Sequence, residues 1–156
     1  MLSMAKKKDK KQNPGQVVFS VSSPHPPLLH EIDVAWVLAY HYRSTVEFIT
    51  PIDDYKRKTA DIVLHGVVWE IKCPTGKSKS TISNQIRRAS RQSAHIIIDT
   101  RHTKLQYSDI EKRVIFGVSG KSDIKKVILI DKLEKLLKLK NRCDIIFFVG
   151  RPGSLN

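Results

Sequence analysis

A chain of 156 residues with 40% hydrophobic content can close one compact core and is too short for two of ordinary size. Its 28 lysines and arginines against 15 aspartates and glutamates leave a formal charge of +13, which points to a polyanionic partner, nucleic acid first and an anionic membrane surface second. No run approaches the roughly 20 consecutive apolar residues of a membrane span, and Cys73 and Cys143 lie outside any C-x-x-C spacing, which excludes a disulfide framework and a zinc knuckle.

The first twelve residues hold five lysines and Asp9 and read as a disordered basic arm. Removing its net +4 leaves +9, so the remaining body is itself basic. No apolar signal region follows the arm, so the expected address is the cytoplasm, with no membrane partner. Val17 to Val21 reads as a short strand, and the Pro-rich stretch from Ser22 to Pro27 excludes helix. The expected organisation is an arm and linker over 1–27, a single domain over 28–150 whose order begins near His30, and a tail over 151–156. Apolar residues recur at helical spacing from Glu31 to Arg43. Val46 to Ile49 reads as a strand closed by Pro51, and Asp53 to Lys58 as a charged loop.

Two β-rich runs follow, Ala60 to His65 and Val67 to Cys73, separated by Gly66 in the pattern of a hairpin. With His65-Gly66 as a two-residue turn, Leu64 lies opposite Val67, Ile62 opposite Trp69 and Asp61 opposite Glu70. Two facing carboxylates repel unless something neutralises them, and a divalent cation does so. Alternation along the strand puts Glu70 and Lys72 on the face of Asp61, with Trp69, Ile71 and Cys73 on the other. Asp, Glu and Lys together suit phosphodiester hydrolysis: carboxylate oxygens hold a hard cation that activates water and phosphate, and the ammonium stabilises charge. A salt-bridged surface face is the plainer reading of the same trio.

On the first helix Glu31, Ala35, Leu38 and Tyr42 form one stripe, so Glu31 either completes the metal shell or is an acidic first-turn residue favoured by the helix dipole. A polar loop from Pro74 to Lys79 leads into a helix over Ser80 to about Ser93 with Ile82, Ile86, Ala89 and Ser93 as its packing seam. Thr81, Gln85, Arg88 and Gln92 make the adjoining stripe, while Asn84, Arg87 and Arg91 point farther out. With Lys77 and Lys79 of the loop, these are candidate phosphate contacts or a solvated edge. Ala94 to Thr100 reads as a buried strand, Asp109 to Val118 as a helix, Lys126 to Ile130 as a strand, Leu133 to Leu139 as a helix or hairpin arm, and Ile145 to Val149 as a strand.

Gly76-Lys77-Ser78 is similar to the end of a P-loop, but Ile71 stands where the motif needs glycine, which excludes that nucleotide site. The six histidines have no zinc spacing, and His30 and His65 stand only near the candidate centre.

The run Thr59-Ala60-Asp61, Val68-Trp69-Glu70-Ile71-Lys72-Cys73-Pro74-Thr75-Gly76, Ser80-Thr81-Ile82 and Gln92-Ser93 resembles the C-terminal nuclease toxin domains of contact-dependent growth-inhibition (CdiA-type) proteins, particularly the tRNA nucleases, within the PD-(D/E)xK superfamily. The resemblance spans Glu31 to Asp99. It implies an α/β fold with a PD-(D/E)xK nuclease-like core, a mixed central sheet flanked by helices. It also implies catalysis by Glu31, Asp61, Glu70 and Lys72, with a divalent ion, Mg2+ ahead of Mn2+ or Zn2+, held by Glu31, Asp61, Glu70 and the Ile71 carbonyl. A cognate immunity protein is the further partner it suggests. Ala60 replaces the proline of the superfamily's name, a residue that only shapes the start of the strand. The expected function is metal-dependent cleavage of RNA, tRNA foremost; a DNA endonuclease and a noncatalytic nucleic-acid-binding module are the competing readings.

Overall fold

A computed structural model of the chain describes residues 14–20, 25–50, 59–132, 139–140 and 144–149. The basic arm, the charged loop from Asp53 to Lys58 and most of Leu133 to Leu139 lie outside the described residues. An eight-stranded mixed sheet forms the middle layer, in the order β1-β2-β3-β4-β5-β6-β8-β7. Its strands are β1 (Gln16–Val18), β2 (Thr45–Phe48), β3 (Ile62–Leu64), β4 (Val67–Lys72), β5 (His95–Asp99), β6 (Lys126–Asp131), β7 (Leu139–Lys140) and β8 (Asp144–Val149). The described residues also form three helices: α1 (Leu29–Tyr42), α2 (Lys79–Ala89) and α3 (Tyr107–Val118). The α/β architecture with a mixed sheet that the resemblance implies is the one observed.

One half of the sheet is a meander and the other is wound. β2, β3 and β4 are antiparallel neighbours, whereas β4, β5, β6 and β8 run parallel. Parallel strands need crossovers, and α2 and α3 supply two of them. Hydrophobic side chains therefore face helices on both sides of β5 and β6, whose Ile and Val residues are almost wholly buried. Val34, Ala35, Leu38 and Ala39 of α1 pack with Ile62, Leu64, Trp69, Ile71 and Ile97 on one face. On the other, Ile82, Ile86 and Ala89 of α2 and Ile110 and Val114 of α3 cover Ile96, Ile98, Val127 and Leu129. This three-layer arrangement brings the C-terminal ends of β4, β5 and β6 to the same edge as the starts of α1 and β3.

Several boundaries differ from the sequence reading for identifiable reasons. β1 pairs in parallel with β2, so the sheet reaches back to Gln16, upstream of His30. The first helix begins at Leu29, because the Glu31 carboxylate accepts the Leu28 amide at 2.9 Å and closes the first turn. It ends at Arg43, whose φ of 51° turns the chain into β2. α2 stops at Ala89, so Arg91, Gln92 and Ser93 belong to the following turn rather than to the helix surface. Ser93 is no part of the packing seam: its hydroxyl donates to the Val68 carbonyl at 2.8 Å and accepts the His95 amide at 3.0 Å, which starts β5.

Candidate active site

The hairpin turn sets the register of everything that follows. His65 and Gly66 have φ of 52° and 72°, the pair of left-handed residues that a type I′ turn demands. Leu64 pairs with Val67 and Ile62 with Trp69, as the turn dictates. One residue farther the regular ladder ends. The Asp61 amide donates to the Trp69 carbonyl at 3.0 Å, although Trp69 is already the partner of Ile62. Asp61, just before β3, and Ile62 thus both oppose Trp69 of β4, a bulge that breaks the simple Asp61-to-Glu70 opposition expected from counting. The Asp61 carboxylate turns toward β4 instead, where its Oδ2 accepts the Ile71 amide at 2.6 Å.

This bulge leaves the backbone of Ile71 facing Asp61. Amide and carbonyl of a strand residue leave the strand on the same edge, so the Ile71 carbonyl is directed to the side on which Asp61 sits. Ile71 and Trp69 bury their own side chains against α1. Glu70 and Lys72 point to the opposite face, as alternation requires.

Glu70 is only 2% exposed. Its Oε1 accepts from both the Lys72 ammonium and the Gln92 amide. Its Oε2 is buried with no hydrogen-bond partner, and the Asp61 carboxyl lies within hydrogen-bonding reach of the Glu70 carboxyl. Burial raises the Glu70 carboxyl above its ordinary range, opposed by the Lys72 hydrogen bond and charge. Burial also pushes the Asp61 carboxyl up to about 7, with the Glu70 and Glu31 charges adding to the rise and the Ile71 amide and Lys72 resisting it. Three carboxylates therefore interact within one site. A buried carboxylate oxygen without a donor, beside two other carboxylates and a strand carbonyl, is a donor set of hard oxygens that fits a small divalent cation.

Of the sequence-derived candidates, Asp61, Glu70, Lys72 and Gln92 are directly connected, and Glu31 reaches them through its charge while its Oε2 also closes the first turn of α1. Glu31 is thus the acidic first-turn residue of α1, and its charge also acts on the Asp61 and Glu70 carboxyls. Thr81 and Gln85 are half-buried on α2, while Lys77, Lys79, Arg87, Arg88 and Arg91 are exposed. Lys79 is not a free cation: its Nζ pairs with Asp109 Oδ1 of α3 at 3.0 Å. His65 lies at the far end of the hairpin, bonded to the Ser44 hydroxyl and stacked edge-on with Tyr42, outside the centre.

A second charged cluster escaped sequence reasoning. Asp99 ends the Ile96-Ile97-Ile98 run, has no exposed surface and binds Arg101, which also reaches Asp33 on α1. A charged residue ending an all-isoleucine strand was the available signal. Cys73 lies between the two clusters: burial, with the Asp99, Glu31 and Asp61 charges, pushes its thiol up to about 12 against the pull of Arg101. It packs against the core on the α1 side of the sheet, and the raised thiol disfavours the nucleophilic thiolate.

No curated protein and no solved structure matches the chain. Residues 58–136, which carry the hairpin, α2, β5, α3 and β6, match the model of the family described as contact-dependent growth inhibition CdiA C-terminal domain. That segment is half of the chain and contains Asp61, Glu70, Lys72 and Gln92, while Glu31 lies outside it. The chain belongs to the CdiA C-terminal domain family of contact-dependent growth inhibition.

Proposed function

We propose that this chain is a metal-dependent nuclease of the PD-(D/E)xK class that hydrolyses phosphodiester bonds in nucleic acid, RNA ahead of DNA and tRNA foremost among RNAs. The observation that carries the reading is Glu70 Oε2, buried without a donor beside Asp61 in a strongly basic chain. A structural salt bridge between Lys72 and Glu70 gives no reason for two further carboxylates to be gathered against the buried Glu70. A noncatalytic binding module needs the positive charge but not that cluster.

In this reading Asp61, Glu70, Glu31 and the Ile71 carbonyl hold a divalent cation, Mg2+ before Mn2+ or Zn2+. When bound, the cation supplies Lewis-acid polarisation of the phosphate and a more acidic water. The chain's own residues do the rest. Lys72 stands on the same strand face as Glu70, so its ammonium can move from the carboxylate to a phosphate oxygen as charge develops there. Gln92 orients Glu70 through Oε1, which leaves Oε2 for the cation. The exposed Arg87, Arg88, Arg91 and Lys77 take backbone phosphates in this reading, with the half-buried Thr81 and Gln85 as further polar contacts.

Family membership supports a growth-inhibiting toxin role for this activity and a cognate immunity protein as its binding partner. The deciding experiment incubates the purified chain with labelled tRNA, other RNA and DNA, each with Mg2+, Mn2+, Zn2+ or chelator. Metal-dependent cleavage of RNA is expected. Cleavage of DNA alone moves the reading to the DNA endonuclease, and cleavage of no substrate under any condition leaves the binding module.

A further inference from the structure

We propose that Arg101 is a positioning residue of the carboxylate centre: by bridging Asp99 at the end of β5 to Asp33 on α1, it holds the first turn of α1 where Glu31 joins Asp61 and Glu70. This rests on the metal-site reading above and extends it to residues that touch neither cation nor substrate.

The bridge begins with a buried charge. Asp99 has no exposed surface, and an unpaired carboxylate there is strongly unfavourable. Arg101 satisfies both oxygens: its amide and Nε donate to Oδ1 at 3.1 and 2.9 Å, and Nη2 donates to Oδ2 at 2.8 Å. This fork fixes the guanidinium plane. The second hydrogen of Nη2 then reaches Asp33 Oδ2 at 2.7 Å. Asp33 stands in the turn that carries Glu31, while the apolar packing of α1 on the sheet runs through Val34, Ala35, Leu38 and Ala39 farther along the helix. The Arg101 bond therefore ties the site end of α1 to the parallel half of the sheet.

Two other uses of the cluster fit less well. Ligand atoms of Asp33, Asp99 and His102 lie within 4.8 Å of one another, as metal ligands do, but Arg101 already occupies both carboxylates. A phosphate clamp is disfavoured by charge, because one guanidinium against two carboxylates leaves the cluster negative. Positioning needs neither vacancy nor positive charge.

The test uses the full chain and Mn2+ binding by calorimetry, with thermal melts to confirm folding. Asp33→Ala is the informative variant, since it removes the acceptor at the exposed arm of the bridge and leaves the buried Arg101–Asp99 pair intact. Wild type, Asp33→Ala, Glu31→Gln, their double variant and Glu70→Gln are compared. Asp33→Ala is expected to weaken Mn2+ binding three- to tenfold and Glu31→Gln at least as much, with the double variant no weaker than Glu31→Gln alone. A purely long-range loss of the Asp33 charge would instead multiply with Glu31→Gln. Multiplying effects overturn the positioning role, as does wild-type affinity in Asp33→Ala when Glu31→Gln and Glu70→Gln both weaken binding; either leaves the metal centre standing. Wild type that binds no Mn2+ removes the metal centre and the positioning role with it.

Discussion

At the scale of single residues, the centre is held in tension by burial. In the metal-free protein the folded state retains a proton on Asp61 that the unfolded chain has already released, between the ordinary carboxylate range and about pH 7. Stability from this site is therefore undiminished at acid pH and falls as pH rises through that window. Asp61→Asn should match wild type near pH 4 and exceed it at pH 8, by on the order of a few kcal/mol. Chemical denaturation at both pH values checks this, and an equal difference at each would place the shifted group elsewhere. The same variant should lose metal-dependent cleavage, as should Glu70→Ala, so stability and activity move in opposite directions. Lys72→Met tests a different role. It keeps the aliphatic stem, so metal binding should persist while single-turnover cleavage drops by the equivalent of a few kcal/mol. Loss of metal affinity in that variant would make Lys72 a support of the ligand set instead.

Elements place these residues through turns and close contacts more than through propensity. The hairpin depends on two consecutive left-handed residues, and that is why its register was readable from His65-Gly66 alone. The bulge at Asp61 was not readable, because no local residue preference demands it; it arises where β3 must pair with both β2 and β4 while turning a carboxylate inward. α2 and α3 meet at Gly117, where an added Cβ would stand 2.9 Å from Ile86 Cδ1 and 3.3 Å from the Ser83 Cα. Ile86 is fully buried and has little room to yield. Gly117→Ala gains about 1 kcal/mol of helix propensity against this overlap and should be close to neutral. Gly117→Val forfeits most of that gain and adds two more carbons, so it should cost more than about 2 kcal/mol in a denaturant melt.

For the whole molecule, charge is the governing property. A body carrying +9 without its first twelve residues should bind nucleic acid with an affinity that falls steeply with salt, as counterions are released from several phosphates. Deleting residues 1–12 should lower affinity only in part and make the slope modestly shallower. Binding measured across a salt series that stays flat would remove the electrostatic reading. Composition alone was enough to reach this expectation, since net charge does not depend on how the chain folds. Local pattern was likewise enough to locate the described helices, the hairpin and the strands over 94–100 and 126–130, because half-buried segments carry a period of 3.6 or 2 residues and strands buried on both faces read as short unbroken apolar runs. Spacing brought Asp61, Glu70 and Lys72 together for the same reason: the contacts lie within one hairpin. Only the tertiary structure decided that Gln92 reaches Glu70, that Lys79 is neutralised by Asp109, and that Arg101 joins β5 to α1. Those partners are separated by 22, 30 and 68 residues, and no periodicity within a segment encodes which side chain from a distant segment the packing of the layers will deliver.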